Sequence, residues 1–397
     1  MSKQKSFIVV TEHLIKNPDV FKDTYIPKEI LFREKELNEL STYTFSPCAN
    51  YGVGSNVFIN GETGTGKTLS VNYLIEETER IAKKEKINIR PIYINCSTLP
   101  KKGEFHVIRT LCERLLPKGE FKLGYEITKY LDFIQEYFKN TKANIILILD
   151  EIDKIKSESA DRLLTILTRT DFSPSNITII CIYNNIYFRD NLLPSTLSSF
   201  KGSVIVFTNY DADQLFQILR MRAGEGLKPN TINEKTLVFL ATIIDDKFKS
   251  DVRKGIEILE RAARYAEINK KIQISKDDIE SAAKKIIETE IRNYFAQMDH
   301  HKIYTMALLS KGVEENGKIK LVELYKKYKQ IMPSTEEAYT EEAIRKKLDE
   351  ICSTGLILKR ARAWYLIPKN LDIIHKILEE EVRKRFKFSM DTLLVNL

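Results

Sequence analysis

A glycine-rich segment, GETGTGKT at residues 61–68, constrains this chain more than any other feature of its sequence. It follows a strand-like apolar run at 56–60 and precedes an amphipathic stretch at 69–81. The predicted order is therefore strand, glycine loop and helix, in which backbone amides at a helix N-terminus turn toward phosphate groups. The segment predicts a nucleoside triphosphate site.

Each position of this loop has a predicted role. Lys67 supplies a positive charge for the outer phosphates, and the Thr68 hydroxyl is placed to bind Mg²⁺. The glycines allow successive backbone amides to approach the ligand closely. The residues that we expect to bind ATP or ADP here are Gly61, Thr63, Gly64, Thr65, Gly66, Lys67 and Thr68.

Two further apolar strands end in polar residues that suit the same site. The run IILILDEID at 145–153 indicates a buried strand, after which Asp150 would hold Mg²⁺ and Glu151 would polarise the attacking water. The strand 177–182 precedes Asn184, whose amide could contact the γ-phosphate or the water. From spacing alone, acids that merely end a strand and a turn-forming asparagine remain the alternatives.

The chain alternates between strand-like runs and amphipathic helical stretches as far as Phe207, which predicts a parallel sheet covered on both faces. Residues 211 to about 296 contain only helical patterns. At 397 residues the chain is long for one core, so two or three domains are expected. The predicted strands lie at 57–60, 89–95, 145–149, 177–182 and 203–207.

The last hundred residues follow a different pattern, with three helices before two short β-segments. This order predicts a winged helix, in which the third helix contacts DNA. The helices are expected at 304–312, 321–331 and 340–353, and the β-segments at 356–359 and 364–367. The predicted domains are a mobile tail (1–20), an ATP-binding base (21–210), a helical lid (211–296) and a winged helix (297–397).

Charge and cysteine content narrow the class of protein further. The net charge is +8, and residues 301–397 carry 19 Lys and Arg against 14 Asp and Glu, which indicates a polyanionic partner or, alternatively, lysine-rich solvated helices. The five cysteines are widely scattered, so buried thiols are expected rather than disulfides or a zinc site. No apolar run is long enough to cross a membrane, and we expect a cytoplasmic, nucleoid-associated protein.

Together, the glycine loop, the strand ending in Asp and Glu, the strand before Asn184 and the trailing helical segment resemble the AAA+ ATPase family. Within it, the chain resembles the archaeal replication initiators related to the largest origin-recognition subunit and the cell-division-cycle licensing ATPase. The resemblance covers residues 20–370 and is carried most clearly by the segments 25–36, 207–222 and 250–259.

This resemblance implies an α/β P-loop AAA+ parallel sheet with a helical lid and a C-terminal winged-helix domain. It implies ATP or ADP with Mg²⁺ as cofactors, and it implies three kinds of partner. These are double-stranded DNA at a replication origin, paralogous initiators on neighbouring sites, and the replicative helicase. No membrane partner is expected.

The resemblance also assigns roles to four residues outside the glycine loop. Tyr210 and Arg222 would help to close the lid on the nucleotide, and Asn184 would be the sensor carried by a strand. Arg253 would be the phosphate-sensing arginine of the lid, although the residues alone favour a solvated arginine beside Asp251.

One position departs from the family pattern. The family usually carries Asp-Pro-Arg where this chain has Pro194 followed by Ser195, so the arginine offered to a neighbouring subunit's γ-phosphate is missing. Such an arginine is worth about 10³-fold or more in hydrolysis. We therefore expect a slow ATPase or a long-lived nucleotide complex, with Arg189 as a weak substitute.

Cationic residues of the predicted winged helix are candidates for DNA contact. In the reading helix, four nearby acids oppose this role, whereas the wing tip is more uniformly basic. A further candidate, Arg109, lies on a helix that family members insert into the ATPase domain, where a plain surface helix is the alternative. The residues are Arg345, Lys346 and Lys347 in the helix, and Lys359, Arg360 and Arg362 in the wing.

The leading interpretation is a DNA-binding switch in which ATP governs conformation more than turnover. A DNA-stimulated motor, such as a helicase or a transposition-type ATPase, is the second. The third is a nucleotide-switch signalling ATPase whose winged helix makes only protein contacts.

Overall fold

The computed structural model describes residues 13–116, 124–331, 338–360, 364–386 and 389–390. The chain divides into two compact units, residues 1–279 and residues 280–397.

The first unit contains a five-stranded parallel sheet in the order β2-β3-β4-β1-β5. Its strands are β1 (Val57–Gly61), β2 (Ile89–Asn95), β3 (Asn144–Asp150), β4 (Ile177–Tyr183) and β5 (Ser203–Phe207). Each predicted strand is present, with its ends shifted by one residue at most. The predicted α/β fold class is confirmed.

Helices cover both faces of this sheet because its inner strands are apolar on both sides. In β3, Ile145 and Leu147 belong to one buried core, and Ile146 and Ile148 belong to the other. Alternating residues of a strand point to opposite faces, so an uninterrupted apolar run contributes side chains to the buried cores on both faces of the sheet. This arrangement places the carboxyl ends of the strands, and the acids that follow β3, at one open edge.

The helices of the base flank this sheet, and those of the lid follow it. In the base they are α1 (Glu34–Leu40), α2 (Ser46–Tyr51), α3 (Lys67–Glu85), α4 (Glu104–Leu115), α5 (Ile127–Thr141), α6 (Ser157–Arg169) and α7 (Pro194–Phe200). In the lid they are α8 (Ala212–Gly226), α9 (Glu234–Phe248) and α10 (Val252–Ile268). The next helix, α11 (Lys276–Ala296), crosses the boundary between the two units.

The lid begins at a well-defined helix start. The Asp211 side chain accepts a hydrogen bond from the Gln214 amide (2.8 Å), and the Gln214 side chain accepts one from the Asp211 amide (3.2 Å). This reciprocal capping box satisfies two amides that would otherwise have no partner. It fixes where the chain turns from β5 into α8.

Residues 13–20 are packed, which corrects their assignment to a mobile tail. Leu14 and Val20 are buried, and the Leu14 amide donates to Glu267 Oε1 at 2.6 Å. The Lys16 amide donates to the Gly226 carbonyl at 2.9 Å. Because these partners lie in α8 and α10, the N-terminal segment is fastened to the lid. Residues 1–12 lie outside the described residues.

The second unit contains the winged helix. Its helices are α12 (His300–Asn316), α13 (Leu321–Ile331), α14 (Glu341–Ser353) and α15 (Leu371–Phe386). Its sheet has the order β6-β8-β7, formed by β6 (Ile319–Lys320), β7 (Leu358–Arg360) and β8 (Trp364–Leu366), and both strand pairs are antiparallel. The predicted winged-helix fold is confirmed. The first predicted helix starts four residues earlier than expected, because Asp299 caps it by accepting from the Lys302 amide.

Two further findings concern membrane-spanning helices and the cysteines. In the part of the chain that the structure describes, no helix is both long and apolar enough to cross a bilayer. All five cysteines are free thiols, of which Cys352 is half-buried and the other four are buried.

Candidate nucleotide site and nucleic-acid interface

The glycine loop joins β1 to α3, and two of its glycines adopt backbone angles that favour glycine. Gly64 has φ +82° and Gly66 has φ +89°. A Cβ on Gly64 would lie 2.1 Å from Asp251 Oδ1, and a Cβ on Gly66 would lie 2.8 Å from Tyr210 Oη. These positions need glycine because the chain turns sharply and because residues beyond β5 approach the loop closely.

Lys67 is the first residue of α3, and its ammonium group is buried. Its Nζ donates to the carbonyl oxygens of Gly61 and Glu62, each at 2.7 Å. Burial lowers the pKa of Lys67 to about 8, although the Asp150 carboxylate opposes this shift. A phosphate group beside Nζ would favour the charged form, so this lysine suits a triphosphate ligand.

Oxygen atoms suited to Mg²⁺ meet beside this lysine. Thr68 Oγ1 donates to Asp150 Oδ2 at 2.8 Å, and Tyr93 Oη donates to the same oxygen at 2.6 Å. Among the described residues, no cluster of three or more acidic, histidine or cysteine side chains could hold a metal by itself. Mg²⁺ is commonly held by one or two protein oxygens together with phosphates and water.

Glu151 follows Asp150 at the edge of the sheet in a left-handed conformation, with φ +52°. Its amide donates to Asp150 Oδ1 at 2.8 Å, which turns the chain sharply at the strand end. The turn places Glu151 on the wall of the cleft beside Asp150 rather than in the sheet core. A left-handed non-glycine residue is uncommon and is often found at functional sites.

The base and the lid together line a cleft of about 630 Å³. Its lining includes polar residues of the glycine loop together with Asp150 and Glu151. It also includes apolar residues from the segment before α1 and from the lid; these are Ile26, Pro27, Ile30, Ile218, Met221 and Ile256. A cleft that combines phosphate-binding and apolar residues suits a nucleotide.

The structure brings most of the predicted nucleotide-binding residues to this cleft. Gly61 and Thr65 are the exceptions within the loop. The Gly61 carbonyl accepts a hydrogen bond from Lys67 Nζ. Thr65 is buried, and its hydroxyl donates to the Glu62 carbonyl at 2.8 Å. Both residues therefore stabilise the conformation of the loop without lining the cleft. The predicted residues that line the cleft are Thr63, Gly64, Gly66, Lys67, Thr68, Asp150, Glu151, Asn184, Tyr210, Arg222 and Arg253.

The predicted lid residues differ in their surroundings. Arg253 is half-exposed, and its Nε lies 3.5 Å from Asp251 Oδ1. Arg222 is buried, lies 4.8 Å from the centre of the Tyr25 ring and donates to the Val20 carbonyl at 3.3 Å. Arg222 thus holds the N-terminal segment against the lid at the cleft wall, whereas Arg253 lies beside the acid that caps its own helix.

Arg33 was not singled out from the sequence, yet it connects three parts of the site. Its guanidinium donates to the Thr65 carbonyl in the glycine loop (2.9 Å) and to the Thr208 carbonyl after β5 (2.6 Å). It also stacks on Tyr210, 3.9 Å from the ring centre, and only 3% of the residue is exposed. A planar group with several donors can satisfy this geometry, which a lysine cannot.

Replacing Arg33 with alanine is expected to destabilise the first unit by about 2–4 kcal/mol, because two backbone carbonyls and Tyr210 lose a buried partner. Chemical denaturation measures this change, and Arg33→Lys should recover only part of it. Lys35→Ala, at an exposed position of α1, is the matched control. Equal stability of Arg33→Ala and the control would contradict this role.

The position of the missing arginine is exposed. Ser195 lies in the first turn of α7, beside the buried Thr196. The predicted substitute, Arg189, is half-buried and lies 3.8 Å from Asp190, at the limit of an ion pair. A serine at this place offers a neighbouring subunit no positive charge.

In the second unit, the reading helix presents two of its three predicted cations to solvent. Arg345 and Lys346 are exposed and lie 3.6 and 3.5 Å from glutamates one turn earlier. Lys347 is different, since only 17% of its side chain is exposed and its Nζ lies 2.5 Å from Asp299 Oδ2. It also lies 4.7 Å from the centre of the Tyr339 ring. The expectation that Lys347 is available to DNA is therefore corrected, because it joins α14 to the start of α12.

The predicted wing cations also differ in their surroundings. Lys359 donates to Asp349 of α14 at 2.8 Å, whereas Arg360 is exposed at the end of β7. Arg362 lies outside the described residues. In the first unit, Arg109 is half-exposed and pairs with Glu113 on the same helix at 2.8 Å.

Comparison with known families identifies two consecutive parts of the chain. Residues 53–192 match the model of an AAA domain, and residues 216–284 match the model of a Cdc6 AAA+ ATPase-type lid domain. These matches include the glycine loop, strand β3 with Asp150, and lid helices that line the cleft.

Comparison with complete proteins covers most of the chain. ORC1-type DNA replication protein 3 of Saccharolobus solfataricus is 32% identical over 324 residues, which are 80% of this chain and 79% of that protein. The Aeropyrum pernix ORC1 protein, solved in complex with DNA, matches with TM-score 0.75 at 22% identity over 92% of this chain and 97% of the other. The Aeropyrum pernix ORC2 protein in its ADPNP-ADP complexes matches with TM-score 0.67 at 17% identity over 94% and 100%.

Proposed function

Because the chain belongs to the family of ORC1-type DNA replication proteins, we propose that it binds duplex DNA at replication origins and that ATP controls this binding. The observation that carries the proposal is the shared nucleotide cleft. Residues of the base and of the lid line its two sides, while the same chain contains a winged helix. A ligand in the cleft therefore contacts both parts of the ATPase unit.

Membership of the AAA+ ATPases implies nucleotide binding with a divalent metal. We propose that Lys67 and the amides of the glycine loop hold the β- and γ-phosphates, and that Thr68 and Asp150 bind Mg²⁺. Bound Mg²⁺ would neutralise phosphate charge. The apolar residues of the cleft would contact the base of the nucleotide.

The proposed switch depends on the lid's approach to the glycine loop. Asp251 caps α10 by accepting from the Arg253 amide at 3.0 Å and lies against Gly64. A γ-phosphate near Gly64 would repel this carboxylate and attract the Arg253 guanidinium. ATP and ADP differ in this interaction, so they would favour different lid positions, as a ligand shifts an equilibrium only through differential affinity.

We propose that hydrolysis is slow. Glu151 would orient and polarise the attacking water, with Asn184 beside it on the cleft wall. The exposed Ser195 supplies no charge to a neighbouring site, so assembly would add little to turnover. Nucleotide state would then persist long enough to control DNA binding.

DNA would be contacted by the exposed cations of the second unit, Arg345, Lys346 and Arg360, with Arg362 as a further candidate. Arg109 would add a contact from the first unit. We further propose that paralogous initiators on neighbouring sites and the replicative helicase are partners, as expected for an initiator that acts on the nucleoid. Family membership supports these two partners.

The double substitution Arg345→Ala and Lys346→Ala is expected to weaken duplex binding about tenfold or more. If both residues contact phosphates, the magnitude of the negative slope of log K against log salt should decrease by about 1 for each residue. Fluorescence anisotropy over a salt series measures both quantities. Lys285→Ala, an exposed lysine of α11, is the control. An unchanged slope and affinity would contradict the role of this helix.

Footprinting on genomic origin fragments tests the proposed function as a whole. We expect a discrete protected site that depends on added nucleotide and that is lost when the winged-helix cations are removed. Uniform weak protection of all DNA would indicate backbone contacts alone. Turnover strongly stimulated by any DNA would instead favour a motor.

A further inference from the structure

The three-stranded sheet of the second unit has an outer face on which only Arg360 has a role described above. In this sheet, Trp364 of β8 lies opposite Lys320 of β6 and opposite Arg360 of β7. Residues directly opposite one another on neighbouring strands share a face of the sheet. Lys320, Trp364 and Arg360 therefore form one row across all three strands.

The next row along the sheet points the other way, toward the helices. Tyr365 lies opposite Ile319 and Lys359, and both Tyr365 and Ile319 are buried. Lys359 donates to Asp349 of α14, in agreement with this direction. Since side chains alternate along a strand, the row containing Trp364 faces solvent. Lys320 and Arg360 are exposed, and Trp364 is half-buried.

Trp364 organises the cations around it. The Nζ atoms of Lys318 and Lys320 lie 4.7 and 4.9 Å from the centre of its ring. These distances are those of cation–π contacts, for which tryptophan is the best partner. The two lysines are thus held close together at modest entropic cost. We call Lys318, Lys320, Trp364 and Arg360 the basic sheet face.

Three carboxylates of the second unit pair with cations outside this set or on its other face. Glu314 lies 3.0 Å from Lys311, Glu323 lies 3.7 Å from Lys327, and Asp349 is bound to Lys359. Among the described residues, no carboxylate pairs with Lys318, Lys320 or Arg360, so this exposed face carries three positive charges and is complementary to a polyanion.

We propose that the basic sheet face binds the phosphodiester backbone of duplex DNA, in addition to the contacts of α14 and the wing tip. This inference rests on the proposed function, because it adds a contact to the same DNA-binding unit. The ring of Trp364 is engaged with the two lysines, so it positions them rather than stacking on bases. The face would therefore add affinity and salt dependence, and no sequence preference.

The test is the double substitution Lys318→Gln and Lys320→Gln in the full chain. The slope of log K against log salt is negative, and each lost phosphate contact decreases its magnitude by about 0.9. The double variant should therefore have a slope that is shallower by about 2. Its affinity at low salt should be at least about tenfold weaker. The loss should be the same for origin and unrelated duplexes. Anisotropy with labelled duplexes across a salt series measures it.

A matched control removes the same charge from the same unit. Arg383 and Lys384 lie on α15, and each is already paired with a glutamate of that helix. Arg383→Gln with Lys384→Gln should leave the slope unchanged, since these residues belong to α15 and not to the basic sheet face. An unchanged thermal transition in both double variants shows that neither effect comes from unfolding.

The possible results separate this inference from the proposed function. Wild-type protein without salt-dependent duplex binding would contradict both. If wild-type protein binds and the α14 variant weakens it, but the basic sheet face variant retains the wild-type slope, only the present inference is wrong. An altered slope confined to single-stranded DNA would also contradict it.

Discussion

Replacing Lys67 with alanine is expected to lower the affinity for ATP and ADP about 100-fold. The Lys67 ammonium is buried at the start of α3, and its hydrogen-bond partners among the described residues are two carbonyl oxygens of the glycine loop. A hydrogen bond to a charged group is worth about 1.5–3 kcal/mol, which corresponds to roughly 10–150-fold in affinity. The upper part of this range applies because the site is partly desolvated.

Titration with a fluorescent ADP analogue measures this loss. Lys83→Ala provides the control, since Lys83 is an exposed residue near the other end of the same helix. The control should bind with wild-type affinity, and the thermal transition of Lys67→Ala without nucleotide should remain cooperative. Unaltered nucleotide affinity in Lys67→Ala would contradict the assignment of this cleft as the nucleotide site.

Replacing Glu151 with glutamine is expected to slow ATP hydrolysis at least about 100-fold, as is usual when a group that polarises the attacking water is lost. Glutamine is nearly isosteric with glutamate and should keep the turn at φ +52°. Binding of ATP and ADP should therefore change little. The expected result is a protein that retains ATP.

Single-turnover hydrolysis compared with nucleotide affinity separates these two effects. Glu158→Gln, at an exposed position in the first turn of α6, is the control. Because Ser195 offers no charge to a neighbour, wild-type turnover should also be nearly independent of protein concentration. A sharp acceleration on assembly that requires Glu151 would refute the slow-hydrolysis proposal.

The strands and the polar residues that follow them were predictable because they depend on local pattern. Apolar runs flanked by glycine or acids define β1, β3 and β4, and the carboxyl ends of parallel strands meet at one edge. The residues of the glycine loop and Asp150 therefore converge as expected. This part of the site needs no long-range information.

The contacts that sequence analysis missed join residues far apart in the chain. Arg33 pairs with a carbonyl 175 residues later, and Leu14 pairs with Glu267, 253 residues later. An arginine in a polar segment has no pattern that separates a buried stacking role from a solvated one. The only available signal was its place in the segment 25–36, which carried part of the family resemblance.

In the wing, the local sequence pattern could not distinguish two neighbouring cations. Lys359 and Arg360 are adjacent in sequence and have the same charge, yet one faces α14 and the other faces solvent. Which residue points outward depends on the pairing of β7 with β8, and a shift of one residue would exchange them. Lys347 was misassigned similarly, because its partner Asp299 lies 48 residues earlier.

The central claim is that nucleotide in the cleft changes the affinity for duplex DNA. The most direct test measures the DNA dissociation constant of the full chain with ATP, with ADP and without nucleotide, for wild-type and Lys67→Ala protein at one fixed salt concentration. We predict that ATP and ADP change wild-type affinity to different extents, with a coupling of about 1–3 kcal/mol, and that the variant shows no difference. Identical wild-type affinities in all three conditions, with nucleotide binding demonstrated in parallel, would contradict the account.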